Sequence, residues 1–471
     1  MKTKKILTLA AAALLSLASC DSKLDIVPLG MTTLETVDDL ETLLNQEPML
    51  YLDEDMMPYE ILCNNMYLKY EGLPDYFGNH YSLVYAWFAY DETVNRADLT
   101  AEDGVYNSLY ESINYMNVII SKAPDASGDD AKRRQIIAEA KVLRAWYHFL
   151  LVNMYAKPYD DVTAAETGGI PYVDNTDVSE QKTKLTLGQV YEKLLADCSD
   201  EVLQDLVQGH VDDPCRFGLD FGYGVRAKVL FQMKHYDEAL RYANLALGVN
   251  SRIEDRSTVK TTGVWTLTET AANNYYVITG GQARGFGDYY GVTITPEVAA
   301  LIDPNDYVMK YHNVDGSPAW DDPYPELPEG ALQSNISDTK WNMFGIRSET
   351  MYYLAGECLI RTGQIAEGLG QIDRVRAMRI ENYTPFASQA SGLTEQQAMK
   401  LLQDAKRVEF LNSFENFCDR KRWNSETDYA ETLTRDMGTY GTYSIRPDSP
   451  LWVFPFPANA VNHNPSLTQN Y

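Results

Sequence analysis

The feature that most constrains the fold of this chain is the recurrence of apolar residues every three to four positions over most of its length. Residues 104–123, 131–156 and 187–207 each carry apolar side chains at this helical spacing. Pro158 follows the second segment, at a position typical of a chain just past a helix end. A last helix is expected over about 395–423. These patterns predict a mainly α fold.

Two further segments have the pattern of paired helices. Residues 219–248 contain the letters YDEAL after a short turn, and residues 348–379 pass through a turn at 362–364. Small residues at a helix crossing followed by a tight turn resemble tetratricopeptide repeat units, which stack because one pair cannot bury its apolar face alone. The two pairs are far apart in the chain. We therefore predict a scaffold of helical pairs, including tetratricopeptide-like units, within a larger fold.

The helical pattern is interrupted from about residue 250 to 346. Glycines cluster between 280 and 291 and prolines between 304 and 328, which predicts loops with a few short strands. A loop region of this length in a compact protein is usually functional. We expect it to cap the helical scaffold on the ligand side. A second loop region rich in aromatic residues covers 70–90.

The N-terminus indicates the compartment. Three lysines precede an apolar stretch from Ile6 to Ser19, which is shorter than the roughly 20 residues that span a bilayer. Residues 1–19 are therefore predicted to be a signal peptide. The sequence from Leu17 to Cys20 resembles a bacterial lipobox, which implies cleavage before Cys20 and its acylation. Residues 20–30 would then be a lipidated cysteine and tether, because several acyl chains together anchor a protein stably.

Charge and motifs exclude several classes of function. The formal net charge of −27 repels nucleic acid and anionic lipid headgroups. The six cysteines include no CxxC pair, and no catalytic or nucleotide-binding motif is found. We predict a protein that is not an enzyme and has no cofactor or metal. Residues 174–177 and 303–306 could offer oxygen ligands to calcium, but turn formation explains both segments more simply.

Several segments carry a family resemblance in their order along the chain. They are AEAKVLRAWYHFLLVNMYAKPY at 138–159, the paired helices at 226–247 and 348–369, and LWVFPFPANAVNHNPSLTQNY at 451–471. Behind a lipobox cysteine, they resemble the SusD/RagB family of outer-membrane nutrient-binding lipoproteins over nearly the whole chain. The resemblance implies a SusD-like fold. Because the C-terminal motifs continue the N-terminal ones, we predict one body over 31–471, with a loop-rich insert at about 250–346 and a SusD/RagB-type segment at about 347–471.

One family motif departs from its usual form. The family has a Glu-Gly-x-Arg element, where this chain has Ser413-Phe414-Glu415-Asn416, and Arg420 replaces the usual leucine after Asp419. Glu409 and the Arg422-Trp423 pair fit the family pattern. We expect the local helix packing to differ from that of relatives.

The resemblance implies the function. Such proteins lie over a SusC-like TonB-dependent transporter at the cell surface, held in the outer membrane by their lipid, and deliver oligosaccharides or peptides to it. An oligosaccharide ligand is the favoured prediction. The alternatives are a peptide-binding RagB-type protein, a tetratricopeptide-like adaptor for another protein, and a lipid-anchored hydrolase, which would need carboxylates in one cleft.

The aromatic loops indicate where a sugar would bind. Sugar rings stack their C–H faces on flat aromatic rings, while Asn, Asp and Arg bind the hydroxyls. The predicted ligand-binding residues are Trp87 and Tyr90 in the first loop region, Trp265, Tyr289, Tyr290, Trp320 and Tyr324 in the second, and Asn79 and Arg96 as polar companions. Local packing of the same rings is the alternative interpretation.

Overall fold

The computed structural model describes residues 34–45, 49–51, 58–67, 72–177, 179–263, 272–281, 292–311, 329–334 and 342–471. The predicted signal peptide and the whole of the predicted lipidated cysteine and tether, residues 20–30, lie outside the described residues, as do parts of the loop-rich insert. Within the described ranges the chain is mainly helical with short strands, which confirms the predicted class.

The helices follow one another along the whole described chain. They are α1 (Val37–Leu44), α2 (Pro58–Leu62), α3 (Leu73–Gly78), α4 (Leu83–Phe88), α5 (Arg96–Leu99), α6 (Gly104–Lys122), α7 (Asp130–Tyr155), α8 (Leu187–Asp197), α9 (Asp200–Leu203), α10 (Leu219–Gln232), α11 (Tyr236–Val249), α12 (Val259–Thr262), α13 (Pro296–Ala299), α14 (Tyr307–Tyr311), α15 (Ser348–Arg361), α16 (Ile365–Arg376), α17 (Glu395–Glu409), α18 (Glu415–Asn424) and α19 (Ala458–His463). Thr36, Thr186 and Thr394 begin α1, α8 and α17 with capping boxes, which satisfy backbone N–H groups of the first turn.

The strands are short and pair in small sheets. They are β1 (Met49–Tyr51), β2 (Met66–Tyr67), β3 (Gly168–Pro171), β4 (Lys184–Thr186), β5 (Asn274–Tyr276), β6 (Thr279–Gly281), β7 (Val292–Ile294), β8 (Leu332–Ser334), β9 (Ile346–Arg347), β10 (Leu433–Asp436) and β11 (Thr442–Ile445). β1 pairs with β6 in parallel, whereas β3–β4, β5–β9, β10–β11 and the three-stranded sheet β2–β7–β8 are antiparallel. Strands of the loop-rich insert therefore pair with β1 and β2 from the N-terminal part of the chain and with β9 at the end of the insert.

The predicted helices over 104–123 and 131–156 are confirmed, but two other predicted helices are interrupted. The segment 187–207 divides into α8 and α9 because Ser199 has extended backbone angles. The segment 395–423 divides into α17 and α18 at Asn412, which has a left-handed φ of 64°. The backbone N–H of Ser413, the residue after Asn412, donates to Oε1 of buried Glu60 in α2 at 3.2 Å. This contact with a distant carboxyl explains why periodicity alone did not show the break.

Both predicted helical pairs are present. α10 and α11 turn at Lys234, and α15 and α16 turn at Gly363, where φ values of 64° and 82° reverse the chain. The second pair crosses closely, because a Cβ atom on Gly368 would lie 2.6 Å from the carbonyl oxygen of Gly356. Glycine is required at this crossing.

Two apolar clusters form the core. The larger cluster contains residues of most helices from α1 to α11, of α15 and α18, and of the segment 433–467. Trp146, Tyr147, Cys358 and Cys418 are among its members. The smaller cluster lies among α15, α16 and α17 and extends to Trp423 of α18.

A first buried ionic cluster joins α10, α15, α17 and α18. Arg422 donates to both carboxylate oxygens of Glu357, at 2.7 and 2.9 Å, and Trp423 Nε1 donates to the same carboxylate at 3.1 Å. Lys406 contacts Asp419 at 2.5 Å. Although burial opposes its charged form, Arg422 and Arg361 hold the pKa of Glu357 below its ordinary value. The Arg422-Trp423 motif thus fixes the second helical pair to α18.

A second buried ionic cluster surrounds Glu409 at the end of α17. Arg379 contacts Glu409 and Glu349 at 2.9 Å each, and Arg347 contacts Glu409 at 3.3 Å. Burial opposes the charged form of Glu409, but Arg379, Arg256 and Arg347 hold its pKa well below the ordinary value. The cluster connects α15 and α17 with the segments that enter and leave the loop-rich insert.

Substitution of Gly368 tests the close helix crossing. We expect Gly368→Ala to lower the free energy of unfolding by about 1–3 kcal/mol, because the added methyl group meets the Gly356 carbonyl. Urea denaturation of the wild type and variant measures the change. Gly370→Ala in the same helix is the control, since its Cβ meets nothing within 4 Å and should raise stability by up to about 1 kcal/mol. Equal effects at the two positions would contradict the proposed crossing.

The buried environment of His148 in α7 should make the stability of the protein depend on pH. Its ring stacks on Tyr172 at 3.8 Å, Nδ1 bonds the Arg144 carbonyl and Nε2 accepts the Val173 N–H at 3.0 Å. Burial lowers the pKa of His148 to about 3. As pH falls below about 6.5, His148 is therefore protonated in the unfolded chain but stays neutral in the folded protein. The free energy of unfolding decreases as pH falls further.

The expected loss is about 2 kcal/mol between pH 7 and pH 5, at about 1.4 kcal/mol per pH unit. Urea denaturation at the two pH values should show that the wild type loses about 2 kcal/mol more stability than His148→Gln, because the other titrating groups are common to both proteins. Parallel pH dependences of the two proteins would show that His148 does not contribute.

Candidate functional site

Three of the predicted ligand-binding residues lie inside the protein. Trp87 and Tyr90 are each 5% exposed and Arg96 is 3% exposed. Trp87 packs against the edge of Phe454, and Tyr90 Oη donates to the Ile61 carbonyl at 3.2 Å. Arg96 donates to two carbonyls of the segment 450–453, each at 2.8 Å. In this structure these side chains hold loops together.

Asn79 is at the surface, directly after α3. Its Oδ1 accepts the backbone N–H of Tyr81 at 3.1 Å, and its carbonyl accepts the Ser82 hydroxyl at 2.9 Å. The other predicted ligand residues, Trp265, Tyr289, Tyr290, Trp320 and Tyr324, lie outside the described residues, so their role stays a prediction. The structure brings Asn79, Trp87 and Tyr90 into the same region, around α3 and α4, but only Asn79 is accessible there.

Around Asn79 the structure assembles a surface of aromatic rings, here called the aromatic patch. Its members come from the α3–α4 segment and from the β10–β11 hairpin, and they are Phe77, His80, Tyr81, Tyr85, Tyr440 and Tyr443. Tyr81 is 56% exposed and His80 is also exposed, whereas Tyr85, Tyr440 and Tyr443 are half-buried. Phe77 is the buried centre of the patch.

Ring contacts connect five members of the patch, which are Phe77, His80, Tyr85, Tyr440 and Tyr443. Phe77 stacks on Tyr440 with ring centroids 4.8 Å apart and on Tyr443 at 5.8 Å. Tyr85 meets Phe77 edge to face at 6.2 Å, and His80 stacks on Tyr85 at 4.4 Å. Such pairs each contribute about 0.5–1.5 kcal/mol beyond simple burial. The stacking therefore gives a continuous and ordered aromatic surface.

The hairpin places two of the rings. Tyr443 lies in β11 opposite Arg435 of β10, and Tyr440 lies in the turn between the strands. Gly438 and Gly441 have φ values of 58° and 109°, which let this tight turn form. The sequence interpretation did not select Tyr440 or Tyr443. Alternating residues at 433–436 followed by two glycines and interspersed tyrosines were the signal for a hairpin that could have found them.

The patch has the chemistry of a sugar-stacking surface. Ring faces of Tyr and His accept the C–H faces of a pyranose, while Asn79 and the phenol groups can bind hydroxyls. Covering about 100 Å² of apolar surface contributes roughly 2–3 kcal/mol. Two or three such contacts leave a moderate affinity after the cost of association.

A cavity with a volume near 460 Å³ lies between α1, the start of α7 and the residues that follow α9. Its lining includes two ion pairs, Lys132 with Glu41 at 2.5 Å and Arg134 with Asp205 at 3.6 Å. These side chains neutralise one another, and the residues that line the cavity carry no aromatic ring. This cavity fits a sugar less well than the patch does.

The segments considered for calcium form turns. Asp303 and Asp306 accept backbone N–H groups of their own turn, and Asp174 pairs with Lys193 at 2.7 Å. Across the described residues, no three His, Cys, Asp or Glu side chains are arranged to hold a metal ion. Among the helices that the structure describes, none combines the length and the apolar character needed to cross a bilayer.

Family models match two long parts of the chain. Residues 34–208 match a SusD-like model described as starch-binding and associating with the outer membrane, and residues 329–471 match the SusD family model. No curated protein matches the chain in sequence.

Solved structures of low sequence identity share the fold. A surface glycan-binding protein A from Bacteroides uniformis superposes with a TM-score of 0.69 at 15% identity, covering 92% of this chain and 99% of that one. A SusD superfamily protein from Bacteroides thetaiotaomicron gives 0.68 at 16% identity, with coverages of 93% and 100%. A SusD-like carbohydrate-binding protein from Bacteroides vulgatus gives 0.66 at 15% identity, with coverages of 92% and 97%.

Proposed function

Because this chain belongs to the SusD-like family, we propose that it captures oligosaccharides at the cell surface and delivers them to a SusC-like TonB-dependent transporter. The protein acts by binding alone and catalyses no reaction. The observation that carries the proposal is the aromatic patch, an exposed surface of stacked rings with Asn79 at its edge.

The character of the patch suits capture followed by release. Half-buried rings lose little conformational freedom on binding, since stacking already orders them. Their contacts with a sugar are apolar and tolerant of small changes in the ring substituents. A binding protein that passes its ligand to a transporter needs such moderate affinity, because a tightly held ligand would not leave.

The proposed location follows from the N-terminal sequence. Cys20, behind the predicted signal peptide, would be acylated and inserted in the outer membrane. The family model that matches residues 34–208 is described as associating with the outer membrane, which supports this location. The lipid would leave the helical scaffold outside the bilayer, beside the transporter that receives the ligand.

Loss of single rings tests the patch directly. We expect Tyr81→Ala and Tyr443→Ala each to weaken glycan binding by about tenfold, the equivalent of roughly 1.4 kcal/mol of lost stacking. Calorimetry and affinity electrophoresis of residues 21–471 against plant, host and microbial glycans measure the affinity. Tyr81→Ala is the cleaner variant because Tyr81 is largely exposed and its loss should not affect folding.

Tyr115→Ala is the matched control, since Tyr115 is a half-buried tyrosine of α6 outside the patch. It should bind like the wild type. If a glycan binds and neither patch variant differs from the control, the patch is not the site. If peptides bind and glycans do not, the peptide-binding alternative replaces the oligosaccharide proposal.

A further inference from the structure

A buried arginine contacts both sides of the aromatic patch, beneath its rings. Arg435 lies in β10 on the inward face of the hairpin and is 0% exposed. Its guanidinium donates to Asn64 Oδ1 at 3.0 Å, to the Phe88 carbonyl at 2.9 Å and to Tyr90 Oη at 2.7 Å. It also donates to the carbonyl of Ile61. These acceptors belong to α2, α4 and the residues that follow each helix.

The surroundings of Arg435 differ from those of the arginines in the ionic clusters. Its hydrogen-bond acceptors are carbonyl, amide and hydroxyl oxygens. Within the described residues, no carboxylate forms an ion pair with Arg435. A buried charge without a counter-ion is stable only if hydrogen bonds replace its water. A guanidinium has five N–H donors in a rigid plane, so its acceptors must be held at defined positions.

Two of those acceptors have unusual backbone conformations. Asn64 and Tyr90 have φ values of 53° and 49°, in the left-handed region. Asparagine tolerates this region, but for tyrosine it is strained and persists only where surrounding contacts impose it. The hydrogen bond from Arg435 to Tyr90 Oη is such a contact. In return, Asn64 Nδ2 donates to the Thr434 carbonyl of β10 at 3.0 Å.

The two sides of this connection carry the rings of the patch. Arg435 is the cross-strand partner of Tyr443, and Tyr440 lies in the turn of the same hairpin. On the opposite side, α4 carries Tyr85, and the Phe88 carbonyl at the end of α4 accepts from Arg435. The Arg435 guanidinium therefore helps to set the distance between the hairpin rings and the α4 rings, together with Phe77, which contacts both sets of rings.

We propose that Arg435 is the positioning residue of the aromatic patch: it holds the hairpin rings at the spacing from α4 that a sugar requires. The proposal rests on the proposed function, because it assigns a role within the same binding site. Arg435 does not touch the ligand. It preorganises the rings that contact the ligand. Because the rings are ordered when the protein folds, little conformational entropy is lost on binding.

Arg435→Lys tests the proposal, because lysine keeps the charge but cannot supply the planar set of donors. We expect glycan affinity to fall about tenfold. Amide hydrogen exchange over 433–445 should become faster in the absence of any ligand. Arg144→Lys is the matched control: Arg144 is a buried arginine of α7 that donates to both oxygens of Asp197 at 2.7 Å, outside the patch. This control variant should lose stability but keep wild-type glycan affinity and wild-type amide exchange rates over 433–445.

The outcomes separate the two proposals. Wild-type affinity and exchange in Arg435→Lys would overturn the positioning role. Equal losses of affinity in both variants, in proportion to their stability, would also overturn it. If the wild type binds no glycan, the proposed function fails, and the exchange of 433–445 still decides whether Arg435 orders the hairpin. If Arg435→Lys does not fold, Tyr90→Phe removes one acceptor of Arg435, together with the donor to the Ile61 carbonyl, and it should show smaller changes in the same direction. Unchanged affinity and exchange would overturn the role.

Discussion

Buried charge is the constraint on which the arrangement of helices depends. Ionised groups leave water only when their partners are placed well, and removing one partner of such a pair typically costs about 3–5 kcal/mol. Glu357 meets Arg422 through two hydrogen bonds, and Glu409 meets Arg379 in the same manner. Each pair joins segments that are separate in sequence. Apolar packing brings these helices together, and the ion pairs define their relative positions.

The aromatic patch depends on the same principle in a different form. Arg435 is buried with neutral acceptors, and it fixes a hairpin from the C-terminal part of the chain to helices from the N-terminal part. Stacking of Phe77 with Tyr440 and Tyr443 then completes the surface. The helical scaffold thus holds irregular segments still enough to present an ordered set of rings. Binding residues on loops can be exact in position when the loops are fixed by such contacts.

Apolar periodicity is a local signal, and for this reason it predicted α6, α7 and both helical pairs correctly. The break at Asn412 depends on Glu60, which is distant in sequence, and no local pattern reports such a contact. The site shows the same limit. The sequence indicated that 70–90 is rich in aromatic residues, but its prediction of a loop there was wrong, since α3 and α4 lie in this segment. It also could not show that Trp87 and Tyr90 are buried while Tyr81 is exposed. Tyr440 and Tyr443 join the patch only through the tertiary fold.

Whether sugars stack on the aromatic patch can be seen in a crystal structure of the protein with an oligosaccharide that it binds in solution. We expect a sugar ring in contact with Tyr81 or lying over Tyr440 and Tyr443, with Asn79 within hydrogen-bonding distance of a hydroxyl. A sugar bound elsewhere, with the patch rings uncovered, would show that the patch is not the binding site.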